Sequence, residues 1–158
     1  MGWIEELHGE VVYVDTAPFI GFIERNPVYV DMLRPFFKSV EDKKISAVTS
    51  VVTLLEVLVH PIRDSDAELA KKYQDILSDS TGFSVDDVTR QIVEEAARLR
   101  AFYKVRTPDS IHMATAIVSG SKYFLTNDLS LPSLPNLTVL KLDQLRTLPE
   151  YTEQNENE

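Results

Sequence analysis

Two short apolar runs in this chain each end in an aspartate: Glu10-Val-Val-Tyr-Val-Asp15 and Tyr123-Phe-Leu-Thr-Asn-Asp128. Short runs of Val, Tyr, Phe and Leu without polar alternation suit strands buried on both faces of a parallel sheet. Parallel strands need long crossovers, usually helical, and the intervening sequence has that character. Helical patterns are predicted over residues 17–25 and 28–43, separated by Asn26-Pro27, with Pro35 as a point of kinking or splitting. A second strand is expected over residues 45–49, followed by a helix that Ser50 caps and Pro61 stops after His60. A further helix opens at Asp64 and runs to about Ser78, and Gly82 closes that unit. Phe83-Ser-Val reads as a third strand, and Asp86 or Asp87 as the cap of a long helix reaching about Phe102. Thr107-Pro108 starts another helix, with Thr107 as cap, that ends near Gly120; residues 123–126 and 137–142 are the last two strands. The predicted class is α/β, with a central, mostly parallel sheet flanked by helices on both faces.

The length of 158 residues suits one domain, placed at residues 1–149; residues 150–158 are acidic, lack apolar periodicity and are expected to be a disordered tail. No internal repeat or linker divides the chain. The absence of cysteine excludes disulfides, a thiolate nucleophile and Cys-ligated zinc or iron–sulfur sites. Three isolated histidines exclude the two-histidine helix of a zinc protease. The first fourteen residues hold three acids and no Lys or Arg, unlike a secretory or transit segment. No apolar stretch approaches the roughly 20 residues that span a bilayer, so a soluble, cytoplasmic protein with no membrane partner is expected.

Sixteen Lys and Arg against twenty-five Asp and Glu give a formal charge of -9, which at first argues against a nucleic-acid partner. Location changes that inference. Four of the acids fall in the terminal nine residues, which carry no Lys or Arg, and four more are the residues considered next; without those eight the formal charge is -1.

Four acids stand where patterning favours apolar or neutral residues. Asp15 lies at the carboxyl end of the first strand, the edge at which open α/β sheets bind ligands, although it could equally cap the following helix. Glu56 is the only acid in the apolar segment from Ser50 to His60, with Val52 and Val59 at helical spacing. A carboxylate on such a face must be paired, neutralised or metal-bound, the simplest alternatives being an Arg from another helix or an escape to solvent. Asp109 sits inside a helix start, where the dipole alone would favour it. His112, one turn on, is either a packing residue or reaches the same chemistry through a hydrogen bond. Asp128 ends the fourth strand, in an Asn-Asp pair that also suits a turn. Taken together, the carboxyl ends of two parallel strands and the amino end of a helix can share one edge. Converging carboxylates repel unless a counter-charge is present, and an all-oxygen cluster selects Mg²⁺ or Mn²⁺ rather than Zn²⁺.

The order and setting of these acids resemble the PIN domain, and within it the VapC-like toxin ribonucleases. The resemblance spans about residues 11 to 142 and is carried by Val-Tyr-Val-Asp15-Thr16, Ser50-Val-Val-Thr-Leu-Leu-Glu56-Val-Leu, Thr107-Pro-Asp109-Ser-Ile-His-Met-Ala-Thr-Ala and Phe124-Leu-Thr126-Asn127-Asp128. It implies a Mg²⁺- or Mn²⁺-dependent endoribonuclease that hydrolyses RNA phosphodiester bonds with activated water and leaves a 5′-phosphate. It also implies catalytic and metal-holding roles for Asp15, Glu56, Asp109 and Asp128. Thr16, Thr126 and Asn127 match positions that bond the carboxylates or the metal's waters. The resemblance further implies a cognate antitoxin and a homodimer. Lys104 and Arg106, in the connection delivering Asp109, are the best candidates for RNA phosphate contact. Residues 60–81 match a variable region.

Two rival folds fit less well. A receiver domain needs adjacent acids after its first strand, and a haloacid-dehalogenase phosphatase needs Asp-x-Asp where this chain has Asp15-Thr16-Ala17. The remaining alternative is a PIN fold that serves as a nucleic-acid or protein-binding module without significant nuclease activity.

Overall fold

The structure, a computed structural model, describes residues 2–78 and 82–146; the tail expected at residues 150–158 lies outside the described residues. A 3-10 turn at Glu5–Leu7 leads into β1 (Val11–Val14), then α1 (Thr16–Ile23), α2 (Val30–Glu41) and β2 (Ser46–Ser50). There follow α3 (Val51–Arg63), α4 (Ala67–Ile76), β3 (Phe83–Asp86), α5 (Arg90–Phe102) and α6 (Thr107–Val118). β4 (Tyr123–Thr126), β5 (Thr138–Lys141) and the short α7 (Leu142–Arg146) complete the described chain.

The five strands form one sheet in the order β3-β2-β1-β4-β5, and every pairing is parallel. β1 is central. Tyr13 lies opposite Val48 on one side and Phe124 on the other. The pleat divides the core as a period of two requires. Val12 and Val14 join Phe19, Met32, Leu33 and Phe36 on one face, whereas Tyr13 joins Ile92, Leu99, Met113 and Phe124 on the other. α1 to α4 cover the first face and α5 and α6 the second, so β1, β2 and β4 are buried on both sides, whereas the edge strands β3 and β5 are only partly covered.

Several boundaries differ from expectation for local reasons. Pro61 does not stop α3, which continues to Arg63 with Pro61 buried in its last turn. The missing N–H costs one helical bond, while Asp64 and Asp66 N–H close the end onto the carbonyls of His60 and Pro61. α4 begins at Ala67 rather than near Asp64, because Asp66 is the residue whose carboxylate accepts the Leu69 N–H. Neither Asp86 nor Asp87 caps α5: Asp86 pairs with Ser50 in the sheet, and Thr89 takes the cap by accepting the Ile92 N–H. Thr107 is already helical, with Arg106 at the cap position. Pro35 lies within a continuous α2.

Gly82 enters β3 at φ +89, and a Cβ there would stand 2.4 Å from the Val40 carbonyl oxygen of the α2 end. Both the positive φ and this backbone contact exclude a side chain. Gly82→Ala is expected to lower stability by about 2 kcal/mol, read as a lower urea midpoint at unchanged slope.

Candidate active site

β1 delivers Asp15 to the carboxyl edge of the sheet with its backbone still in the ladder, since the Asp15 N–H donates to Leu125 O at 3.0 Å. Its side chain, 13% exposed, is held at both oxygens. Oδ1 accepts the Thr16 N–H at 2.8 Å as the cap of α1, and Oδ2 accepts the Thr126 hydroxyl at 2.7 Å. The capping role open in the sequence is thus observed, with Asp15 at the start of α1. The Thr126 oxygen also accepts the Asp128 N–H at 3.0 Å, so this buried threonine links the loops beyond β1 and β4.

β2 ends at Ser50, whose hydroxyl accepts the Val52 N–H and starts α3. Glu56 follows in the second turn. It pairs with histidine rather than arginine: Oε1 lies 2.6 Å from Nε2 of His112. His112 is 1% exposed. Its Nδ1 lies 2.6 Å from the Tyr13 hydroxyl, and its Nε2 is 3.7 Å from Asp15 Oδ1. A chain of polar contacts therefore runs from the central strand through the imidazole to Glu56. Burial opposes a charge on His112, but the Glu56 bond and the fields of Asp15, Glu56 and Asp109 outweigh it and raise its pKa. The same bond holds the Glu56 carboxyl below its ordinary value despite partial burial, with help from the Thr16 hydroxyl. Burial and the nearby carboxylates push the Tyr13 phenol well up, so it stays neutral. Thr49 and Thr53 add hydrogen bonds beneath this group: Thr49 Oγ1 donates to Val14 O at 2.8 Å and lies 2.8 Å from Thr53 Oγ1. Sequence reasoning missed Tyr13, Thr49 and Thr53; the available signal was a phenol in an otherwise aliphatic buried strand.

Asp109, in the first turn of α6, is 16% exposed, and its Oδ2 accepts from Arg106 Nε at 3.3 Å. Burial raises its pKa; Arg106 opposes this, and the charges of Asp15 and Asp128 reinforce it. Asp128 is set the other way. Its Oδ1 accepts both the Ser130 hydroxyl at 2.6 Å and the Ser130 N–H at 2.8 Å, which keeps the carboxyl below its ordinary range. Asp15, Asp109 and Asp128 thus share one electrostatic neighbourhood, and Glu56 joins it through His112. Thr16, buried at the start of α1, is 3.5 Å from Thr53. The buried Oδ1 of Asn127 has no hydrogen-bond partner.

The fit to a divalent cation rests on donor chemistry. The acids offer hard oxygens that repel one another, and the buried Asn127 carbonyl oxygen is an unsatisfied acceptor of the kind that a cation or its water completes. Among the described residues, no three or more His, Cys, Asp or Glu side chains stand close enough together to hold a metal ion as they are placed. Lys104 and Arg106 are both exposed, and Arg106 is the one that reaches the acids.

Comparison with known proteins places these features in context. The family model described as the PIN domain matches residues 12–137. A sequence search of curated proteins finds no significant match. Among solved structures, VapBC2 from Rickettsia felis, bound to a DNA fragment from its promoter, aligns with TM-score 0.63 and 16% identity over 83% of this chain and 98% of its own. A toxin–antitoxin complex from Klebsiella pneumoniae aligns with TM-score 0.62 and 20% identity over 80% of this chain and 95% of its own. VapC20 of Mycobacterium tuberculosis, a sarcin–ricin loop cleaving toxin, aligns with TM-score 0.63 and 19% identity over 75% of this chain and 91% of its own. At these identities the likeness is one of fold.

Proposed function

Because the chain belongs to the PIN domain family, we propose that it is a metal-dependent endoribonuclease and the toxin of a toxin–antitoxin pair. The observation that carries this is the meeting of acids from separate elements at one sheet edge, where Asp109 feels the charges of both Asp15 and Asp128. Residues 1–149 form the nuclease domain in this proposal. Asp15, Asp109 and Asp128 are assigned to hold Mg²⁺ or Mn²⁺, with Glu56 joining directly or through water. When bound, the ion would supply charge neutralisation at the phosphate and a more acidic water.

The chain's own contribution is positioning. Thr16 and Thr126 fix both oxygens of Asp15 and so set the direction of its remaining lone pairs. His112 keeps Glu56 ionised and aimed, which suits it to orient a water or receive its proton during in-line attack on a phosphodiester. Lys104 and Arg106 draw the RNA backbone toward the acids. The products would carry 5′-phosphate and 3′-hydroxyl ends.

The partners are inferred at the same level. One of the similar structures is a toxin–antitoxin complex by name and another a toxin, and an acidic crevice suits an antitoxin segment that presents Arg. A homodimer is proposed on the same likeness. Among the described residues, no helix is long and apolar enough to cross a membrane.

The deciding experiment is cleavage of a mixed RNA pool with Mn²⁺, repeated after EDTA. Cleavage giving 5′-phosphate ends is expected with metal, with loss of at least about a hundredfold once it is chelated. RNA binding that persists in EDTA, with no cleavage under any metal, would instead establish the binding-module alternative.

A further inference from the structure

The hydroxyl of Tyr13 is not needed for packing. The Tyr13 ring is fully buried on β1, stacked on Phe124 at 5.0 Å with 9° between the planes and edge-on to His112 at 5.8 Å. Phe124, its neighbour on β4, fills the same layer without a hydroxyl, and a buried hydroxyl costs free energy unless it is bonded. This one lies 2.6 Å from His112 Nδ1 and shares further hydrogen bonds with Thr49 and Thr53. On its other side the imidazole presents Nε2 to Glu56 Oε1 at 2.6 Å and to Asp15 Oδ1 at 3.7 Å. Tyr13 and Asp15 are two residues apart, so their side chains leave the same side of β1. One strand thus supplies both the carboxylate assigned to the metal and the hydroxyl that grips the imidazole beside it.

Glu56 can only accept, so it calls for a hydrogen on Nε2, and the group at Nδ1 must not compete for that hydrogen. A backbone carbonyl at Nδ1 also accepts only; it would draw the hydrogen of a neutral ring to Nδ1 and leave a bare Nε2 against the Glu56 carboxylate. A phenol donates to a neutral ring and accepts from a charged one, and in both states Nε2–H points at Glu56. A ring held at both nitrogens is fixed, whereas one held at Nε2 alone swings about that contact. We propose that Tyr13 is a positioning residue for the cleavage: its hydroxyl holds Nδ1 of His112, keeps Nε2–H on Glu56 and so fixes the direction of that carboxylate beside Asp15. The role rests on the ribonuclease assignment above and adds to it a buried residue that acts only through His112.

The test uses the full chain. In EDTA, NMR spectra of the histidine rings should show His112 with a slowly exchanging hydrogen on Nε2, while the exposed His8 and His60 exchange fast. Tyr13→Phe is expected to shift both His112 nitrogens and to speed exchange of the Nε2 hydrogen about tenfold, as loss of one buried hydrogen bond allows. With Mn²⁺, Tyr13→Phe should lower kcat for RNA about tenfold with KM within about twofold, the mark of an interaction lost in the transition state. In a Glu56→Gln background the same change should cost no more than about twofold, because the carboxylate it acts through is gone, whereas a merely structural loss would recur in full. A wild-type His112 with its hydrogen on Nδ1 alone overturns the proposal without any variant. So does an unchanged kcat in Tyr13→Phe, or a tenfold loss that recurs beside Glu56→Gln; in each of these cases cleavage by the wild type keeps the ribonuclease assignment. A wild type that cleaves no RNA with any divalent metal overturns that assignment, and the role of Tyr13 with it.

Discussion

Replacing Asp15 by Asn is expected to reduce Mn²⁺-dependent RNA cleavage by more than about a hundredfold while leaving the fold intact. Loss of a group that merely orients a metal ligand costs about 10–100-fold, and Asp15 is assigned to hold the metal itself. The substitution keeps shape and most hydrogen bonding. An Asn carbonyl oxygen still accepts the Thr16 N–H, and its amide can donate to the Thr126 oxygen across the distance now spanned by the hydroxyl and Oδ2. Removing the charge also relieves the repulsion that helps raise Asp109. Stability in EDTA should therefore change by no more than about 1 kcal/mol. Single-turnover cleavage beside a thermal melt makes the measurement. A variant that cuts RNA at the wild-type rate would sink the assignment of Asp15 to the chemistry.

His112→Ala combines a stability effect with an activity effect. The deletion removes the 2.6 Å partner of the buried Tyr13 hydroxyl, which keeps only Thr49 and Thr53, and opens a void beside the Tyr13 ring. The weakened hydrogen bonding and the lost packing together are expected to cost about 2–3 kcal/mol. Glu56 adds little to that figure, because 36% of its side chain is exposed and can be rehydrated. Its aim is lost, however, and cleavage should fall about 10–100-fold.

The pair also sets a pH signature for the metal-free protein. His112 has a folded-state pKa above its ordinary 6.5, so its contribution is complete below 6.5 and disappears as pH rises through the folded value. Glu56 has a folded-state pKa below its ordinary 4.5, so its contribution is complete above 4.5 and disappears as pH falls through the folded value. The stability difference between wild type and His112→Ala should therefore be largest between about pH 4.5 and 6.5 and shrink as pH rises beyond the raised His112 value. Urea melts at several pH values, all in EDTA, measure it. A difference that grows steadily above pH 7 would contradict a charged His112.

Much of this architecture was legible because parallel strands leave a strong local trace. Val11 to Val14 and Tyr123 to Thr126 are apolar on both faces, so neither needs tertiary information to be recognised. Helix ends were less legible where several residues competed for one cap. Asp86, Asp87 and Thr89 are all suitable by type, and pairing with Ser50 of a distant strand decided the outcome by drawing Asp86 into the sheet. The four acids stood out because each broke the binary pattern. The partner of Glu56 could not be read in that way: it is 56 positions away on α6, and only the stacking of α3 and α6 at the same sheet edge brings the imidazole to it.

Asp15 is joined to the middle of the sheet by its own backbone N–H, at the end of the strand flanked on both sides by other strands. Positions in a central ladder open only with the global unfolding of the domain, whereas loops and termini open at far lower cost. The side chain assigned to the chemistry is thus anchored where amide exchange is expected to be slowest. A chain built in this way has no gentle way to disarm itself by local fraying. Its activity in a cell would be set by what sits in the crevice and by how long each copy survives, quantities measured as occupancy and lifetime.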